Sequence, residues 1–347
     1  MNRKNVFLFC VISLFLTAVV PVFSQAKKIK IATIAPARSS WDIEENAIAQ
    51  EWAKITNGEV SLQYMNSVAL GGESGVIQKL NSVRPGQKPP IGGAIFTSLG
   101  INELVPDAYI ITMSVPGLFR TQDEVNKSVE KFYDDIQKPI LDKGYVVLGW
   151  FSVGWVYYFT KSEVRTPEEL KSLRLCVGSL TAPALTNAYK AAGYTTMDVP
   201  LDKLLQSLKT PGGVEGLYTL PMYAYAAQYC KSVPYILDIP LCPIMAGFLI
   251  SKDVWADIPE KYKPAMIEAV KRAEKKFSLS AEKDTVEYLK RCQEVGAKLV
   301  TLTPEEKNAF VASFSVDSKK MYESKEPVVS KALVDKISAY LKNLRGE

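Results

Sequence analysis

Apolar and polar positions alternate over residues 28–34, with isoleucines at Ile29, Ile31 and Ile34, and this period of two predicts an opening strand. The period then changes. Trp41, Ile48, Trp52 and Ile55 recur at helical spacing, and Ser39 with Asp42 three residues on marks the start of that helix as a capping-box pattern. Asn57-Gly58 supplies the left-handed residues that stop it. A second strand is expected at 60–64, a helix at about 74–81, and a third strand at 91–96 behind a loop carrying Pro85, Pro89 and Pro90. Strand, helix and strand joined by short connections imply right-handed crossovers and a largely parallel sheet in this half.

Further along, residues 144–160 form one long apolar and aromatic run, longer than a single lobe needs, so it is expected to cross from a first lobe to a second. Residues 242–251 are a second crossing segment that returns the chain. Thr166-Pro167-Glu168-Glu169 and Thr303-Pro304-Glu305-Glu306 each combine a cap, a first-turn proline and a glutamate at the third helical position, which predicts two more helix starts. From Pro259 onward the chain is rich in lysine and glutamate and reads as helical. The organisation expected is α/β: residues 27–149 form a first lobe completed by about 242–300. Residues 150–241 form the second, and 301–347 are C-terminal helices that brace both. A chain of this length suits two lobes better than one core.

The N-terminus places the chain. Arg3 and Lys4 precede an apolar run from Val6 to Val20, and Val22-Phe23-Ser24 follows with residues that a signal peptidase accepts, so 1–24 is expected to be a signal peptide cleaved near Ser24. The run is shorter than the roughly 20 residues a membrane span needs. An uncleaved anchor is the alternative. Periplasmic export is the corresponding localisation.

Of the formal charge of +5, Arg3 and Lys4 supply two units, and the rest is mixed without a basic block, so nucleic acid is not an expected partner. The chain has no histidine, which removes serine–histidine and cysteine–histidine catalysis and the usual framework for zinc. No carboxylate pair stands out, so an enzyme is not expected, nor is a cofactor or a metal. Behind Cys10 lie Cys176, Cys230, Cys242 and Cys292, none in a C-x-x-C pair; Cys230 and Cys242 are candidates for a bridge, and buried reduced thiols are the alternative.

Several segments match one family in order. These are Ile34-Ala35-Pro36-Ala37-Arg38-Ser39-Ser40-Trp41, Leu70-Gly71-Gly72-Glu73, and Val105-Pro106 with Val115-Pro116-Gly117-Leu118-Phe119-Arg120. The run from Arg165-Thr166-Pro167 to Leu173-Arg174-Leu175, and Val214-Glu215-Gly216, complete the set. Together they resemble the solute-binding subunit of tripartite ATP-independent periplasmic (TRAP) transporters across nearly the whole chain. The resemblance implies a two-lobed periplasmic-binding-protein-like fold with a hinge, mixed sheets flanked by helices and long C-terminal helices. It also implies delivery of a small molecule to an integral-membrane permease driven by an ion gradient, and for some members an accessory helical-repeat (TPR-type) partner. Family members usually hold organic acids with a strand arginine, whose guanidinium fork matches a carboxylate.

Here the sequence departs from the family. In Leu173-Arg174-Leu175-Cys176-Val177 the arginine's place is taken by Cys176; a second common arginine aligns with Val156, and an asparagine with Thr219. Arg174 faces the same way as Cys176 but sits roughly 7 Å away along the strand. A carboxylate buried without a paired cation costs several kcal/mol, so an apolar or amphipathic ligand is expected instead. Its candidate contacts are Val156, Cys176, Leu217 and Tyr218, with either Trp155 and Tyr157 or Val156 on the cleft face. From the first lobe come Trp41, Phe96 and Phe119, with Thr97, Ser98 and Thr219 as hydroxyls and Met222 as a weaker candidate.

Gly71-Gly72-Glu73-Ser74-Gly75 reads as a tight bend before a helix in preference to an anion nest, with Glu73 a first-turn dipole partner. Arg38 reads as a solvated loop residue. Tyr218, Tyr225 and Tyr229 would share a helix face and pack. A scaffold that has lost its ligand, an organic-acid binder using a non-standard clamp, and a binding protein of an ATP-driven transporter are the alternative functions.

Overall fold

The computed structural model describes residues 27–82, 89–177 and 183–347; the expected signal peptide and Pro85 lie outside them. The strands are β1 (Lys27–Thr33), β2 (Val60–Asn66), β3 (Gly93–Thr97), β4 (Tyr145–Thr160), β5 (Leu175–Cys176), β6 (Gly216–Thr219), β7 (Tyr235–Leu237), β8 (Cys242–Ser251) and β9 (Lys298–Val300). Helices in the first half are α1 (Ser40–Ile55), α2 (Gly72–Asn81), α3 (Ser98–Leu104), α4 (Gln122–Lys131) and α5 (Tyr133–Asp142). The middle holds α6 (Pro167–Ser172), α7 (Pro183–Ala191), α8 (Leu201–Lys209), α9 (Pro221–Ala226) and α10 (Lys252–Ala256). The C-terminal part is helical, with α11 (Lys263–Glu294), α12 (Pro304–Ser318), α13 (Lys320–Glu323) and α14 (Lys331–Arg345).

The sheet runs β2-β1-β3-β8-β4-β6-β5, with β7 pairing both β4 and β9. Its first end is parallel, β1 pairing β2 and β3, as the strand–helix–strand order implies. It becomes antiparallel where the returning strand β8 inserts between β3 and β4. The sheet is therefore mixed, because the crossing strands β4 and β8 run against their neighbours. β4 pairs β8 as far as Val156↔Cys242 and pairs β6 from Tyr157↔Thr219, so a single strand belongs to two sheets.

Local signals set the helix ends. Ser39 caps α1 by accepting from the Asp42 N–H at 3.2 Å, and Asn57 and Gly58 beyond its end have φ of 49° and 82°. Thr166 and Thr303 both form complete capping boxes, with Glu169 and Glu306. Trp41, Ile48 and Trp52 are buried along one face of α1. The Trp52 Nε1–H donates to the Met266 carbonyl at 3.0 Å and its ring stacks on Phe248 at 6.0 Å, so α1 is fixed at once to α11 and to β8.

α11 lies across β4 where β4 has no side chains. A Cβ on Gly149 would come 2.7 Å from Val270 Cγ1, and one on Gly154 (φ 122°) would come 3.1 Å from Thr285 Oγ1. Both glycines stand beside register shifts in β4, where bulges bend the strand. The remaining helices clasp the two ends. On α12, Glu306 holds Arg165 through bonds of 2.8 and 3.0 Å, and Asp317 takes Lys171 at 2.8 Å and the Tyr194 hydroxyl at 2.9 Å. On α14, Arg345 makes two 2.7 Å bonds to Glu124 at the start of α4.

Candidate functional site

Where the two sheets meet, side chains from both enclose a cavity of about 240 Å³. The wall from the first sheet carries Ile34, Trp41, Glu73, Ser74, Thr97 and Leu99. Its shape starts with two glycines: Gly71 and Gly72 have φ of 93° and 76°, a left-handed pair that turns the chain sharply into α2. That bend seats Glu73 in the first turn, 6% exposed, where Oε1 accepts from the Thr97 N–H at 2.6 Å and Oε2 from the Thr97 hydroxyl at 2.7 Å. Gly100 leaves the room, since a Cβ there would lie 2.7 Å from the Glu73 carboxyl. Burial pushes the acid up to about 7 from the ordinary value near 4.5, against the Thr97 hydrogen bonds that hold it down. The neighbouring Ser74 hydroxyl is committed to Glu103 at 2.7 Å.

The wall from the second sheet is apolar and aromatic. β5 and β6 pair in parallel with Cys176 opposite Leu217, so both present to the cavity from adjacent strands. Val156 of β4, Leu201 and Leu204 of α8, and Tyr223 and Tyr229 complete it. The Tyr218 hydroxyl donates to the Val177 carbonyl at 3.0 Å, and its ring stacks on Tyr189 at 6.0 Å, so this side chain is held as a rigid panel. Burial pushes the Tyr223 phenol up to about 12, with the Glu73 charge adding to it. No lysine or arginine is among the described lining residues, and Glu73 is their one carboxylate. Such a wall can dehydrate an apolar surface and offers one acid that at neutral pH both donates and accepts. A second hollow, about 580 Å³, is walled by α4, α5, β4, β8 and α11 and does not involve β5 or β6.

Of the candidates named from sequence, Trp41, Thr97, Val156, Cys176, Leu217, Tyr218 and Thr219 come together on the cavity. Trp155 and Tyr157 are not among its lining residues, whereas Val156 is; Tyr157 is buried in the core of the second sheet with Cys176, Leu204, Leu208 and Leu217, and Trp155 is half-buried against it. Phe96 and Phe119 are buried in the core of the first sheet beside Ile101 and Val125. Ser98 is turned away to bond the Met245 carbonyl at 3.1 Å, and Met222 is a core residue. Glu73 lies on the cavity wall, where the bend reading had made it a dipole partner only. The tyrosines do not share a helix, since Tyr218 is on β6, Tyr225 is half-exposed against Tyr288, and Tyr229 sits in a later turn. A proline-started helix between them, α9, breaks the assumed period.

Arg174 is committed elsewhere, donating to the Gly213 carbonyl at 2.9 Å and pairing with Glu215 at 2.8 Å. Arg38 is exposed, as expected of a loop arginine, and its backbone N–H donates to Asp42 at 2.7 Å. Cys230 and Cys242 are not joined. The sulfur of Cys230 lies against Cys292 instead, and Cys242 is buried on β8 with its thiol pushed up to about 12 by that burial.

Comparison with known proteins fits this architecture. A TRAP periplasmic solute-binding protein from Sulfurospirillum deleyianum with bound succinate superposes with a TM-score of 0.77 at 19% identity, covering 91% of this chain and 99% of that one. One from Haemophilus influenzae with bound L-gulonate gives 0.77 at 20% identity, covering 90% and 99%. The sugar-acid-binding protein DctPAm from Advenella mimigardefordensis, in complex with galactonate, gives 0.79 at 15% identity, covering 92% and 99%. These likenesses establish the two-lobed fold. The profile of the DctP family, bacterial extracellular solute-binding protein family 7, matches residues 31–325, and the chain belongs to that family of transport receptors, which are binding proteins and not enzymes.

Proposed function

We propose that this receptor captures an apolar or amphipathic small molecule outside the cytoplasm and delivers it to a TRAP-type permease. The single observation that carries the ligand class is the cavity wall, which has no cation among its described residues and a buried acid, Glu73, near half-protonation at neutral pH. The solved relatives hold succinate, L-gulonate and galactonate. A carboxylate placed in this cavity would face Glu73 with no guanidinium to offset the repulsion and the lost hydration. An uncharged polar end, in contrast, finds the Glu73 carboxyl and Thr97 on one side and an apolar panel on the other. The ligand contacts we infer are Trp41, Glu73, Thr97, Val156, Cys176, Leu217, Tyr218 and Thr219.

Capture would follow from closure of the lobes, through contacts made only when they meet. The lobe limits inferred are 27–149 with about 242–300, 150–241, and a bracing segment 301–347. Support comes from β4, which changes partner from β8 to β6 between Val156 and Tyr157. Export with cleavage near Ser24 rests on the N-terminal pattern together with the family's extracellular description. A helical-repeat accessory protein finds no support in the comparisons.

Calorimetric titration of ligand-stripped protein tests the reading. Succinate and L-gulonate should give no saturable heat at millimolar concentration, while an uncharged amphiphile of matching volume should bind. Micromolar binding of either acid would refute the ligand class and leave the family untouched.

A further inference from the structure

Outside the cavity lining, two thiols among the described residues lie against each other, those of Cys230 and Cys292. Their Sγ atoms lie 2.9 Å apart, although the residues are 62 positions apart in the chain. Cys230 sits in the single turn Tyr229–Lys231, and Cys292 in the last turn of α11. Both are 1% exposed or less. The Cys292 thiol also points toward the Pro221 carbonyl at 3.5 Å, so the end of α11, the start of α9 and the Cys230 turn meet at one place. A disulfide has an S–S length near 2.03 Å, so the sulfurs must come about 0.9 Å closer to be joined.

We propose that Cys230 and Cys292 are a disulfide site. The linkage joins the turn that carries Tyr229, a cavity-wall residue, to α11, whose other end receives the Trp52 hydrogen bond from α1. It would hold that wall against the helix that reaches the opposite sheet while the lobes open and close. In the folded pair, the contact between the two sulfurs lowers the Cys230 thiol and raises that of Cys292. The oxidant is a disulfide, of a thiol oxidase or a small molecule. The Cys230 thiolate attacks one of its sulfurs, forming a mixed disulfide and releasing one thiolate, which takes up a proton. Cys292 then gives up its proton and attacks the Cys230 sulfur, releasing the second thiol. Two cysteine thiols are oxidised and one disulfide is reduced to two thiols. Because both sulfurs are enclosed in the folded protein, exchange occurs while this part of the chain is still folding.

The proposal rests on the export reading only for where such an oxidant is met, so the test is made first on purified protein. The full chain is unfolded, reduced, and refolded in a buffer of reduced and oxidised glutathione. Free thiols are then alkylated under denaturing conditions without reductant, and the digest is mapped by mass spectrometry. The expected result is one peptide pair joined through Cys230 and Cys292, two hydrogens lighter than its parts. Reduction is also expected to lower Tm by roughly 5–10 °C. Alkylated Cys230 and Cys292, or a bond from either to Cys176 or Cys242, would overturn the assignment. A joined pair after refolding, with reduced thiols in chain recovered from cells, supports the site and counts instead against export.

Discussion

The two walls of the cavity differ in kind. The wall built on β1, β3 and α2 carries the one acid among the described lining residues, with Glu73 and Thr97 already satisfying one another at 2.6 and 2.7 Å. The wall built on β5, β6 and α8 carries Cys176, Leu217, Leu201 and Leu204, and the one hydroxyl of Tyr218 is turned back to its own backbone neighbour. The division teaches where selectivity resides. The first wall can orient a ligand by one uncharged polar end, and the second offers mainly apolar and aromatic surface, with Thr219, Tyr223 and Tyr229 as its other hydroxyl-bearing side chains. On the reading we propose, Cys176 of the second wall stands where the family resemblance leads one to expect a strand arginine.

The largest break in this comparison is a charge on the apolar wall. Leu204→Asp buries a carboxylate with no partner, and the penalty of several kcal/mol should abolish ligand binding and lower Tm, measured by calorimetry and thermal melting. Removing the polar wall is less severe. Glu73→Ala leaves the Thr97 N–H without its acceptor, and should cost about 1–3 kcal/mol in stability by denaturant unfolding, with ligand affinity falling in the same variant.

Titration sharpens the contrast between Glu73, on the cavity, and Glu45, which is buried on α1 and accepts from the Thr33 hydroxyl at 2.6 Å. Burial raises both acids, Glu73 to about 7 and Glu45 to about 8. Their protonated forms are therefore favoured by folding. The stability they support is complete below about 4.5 and is lost as pH rises, through about 7 for Glu73 and about 8 for Glu45. Each can contribute a slope of up to about 1.4 kcal/mol per pH unit within its window. An apolar ligand that dries the cavity raises Glu73 further, so its affinity should fall between pH 6 and 8, to an extent on the order of tenfold. Glu73→Gln should remove that dependence on affinity and leave the Glu45 part of the stability profile in place. The smallest effect is that of Tyr218→Phe, which deletes the 3.0 Å bond to Val177. It should cost about 0.5–1.5 kcal/mol in stability while leaving affinity nearly unchanged, since the ring remains in the wall.

What could be read without coordinates was what depends on neighbours in sequence. The Ser39, Thr166 and Thr303 caps, the Asn57-Gly58 stop and the crossing strand β4 all follow from residues within a few positions of one another. The face of β4 did not, because alternation offers two phases and the register shifts near Gly149 and Gly154 reset the phase along the strand. Val156 lines the cavity, and Trp155 and Tyr157 do not. Glu73 was legible as a first-turn acid; its bonds to Thr97, 24 positions away, are a product of the tertiary fold. The approach of Cys230 to Cys292, 62 positions away, and not to the nearer Cys242 has the same origin, since the end of α11 brings Cys292 to the Cys230 turn.

The most direct measurement is to purify the protein from its native source without added ligand, denature it, and identify by mass spectrometry what is released in stoichiometric amount. The account predicts an uncharged compound with an apolar body and a single polar end. Release of a mono- or dicarboxylate, at one equivalent per chain, would contradict it.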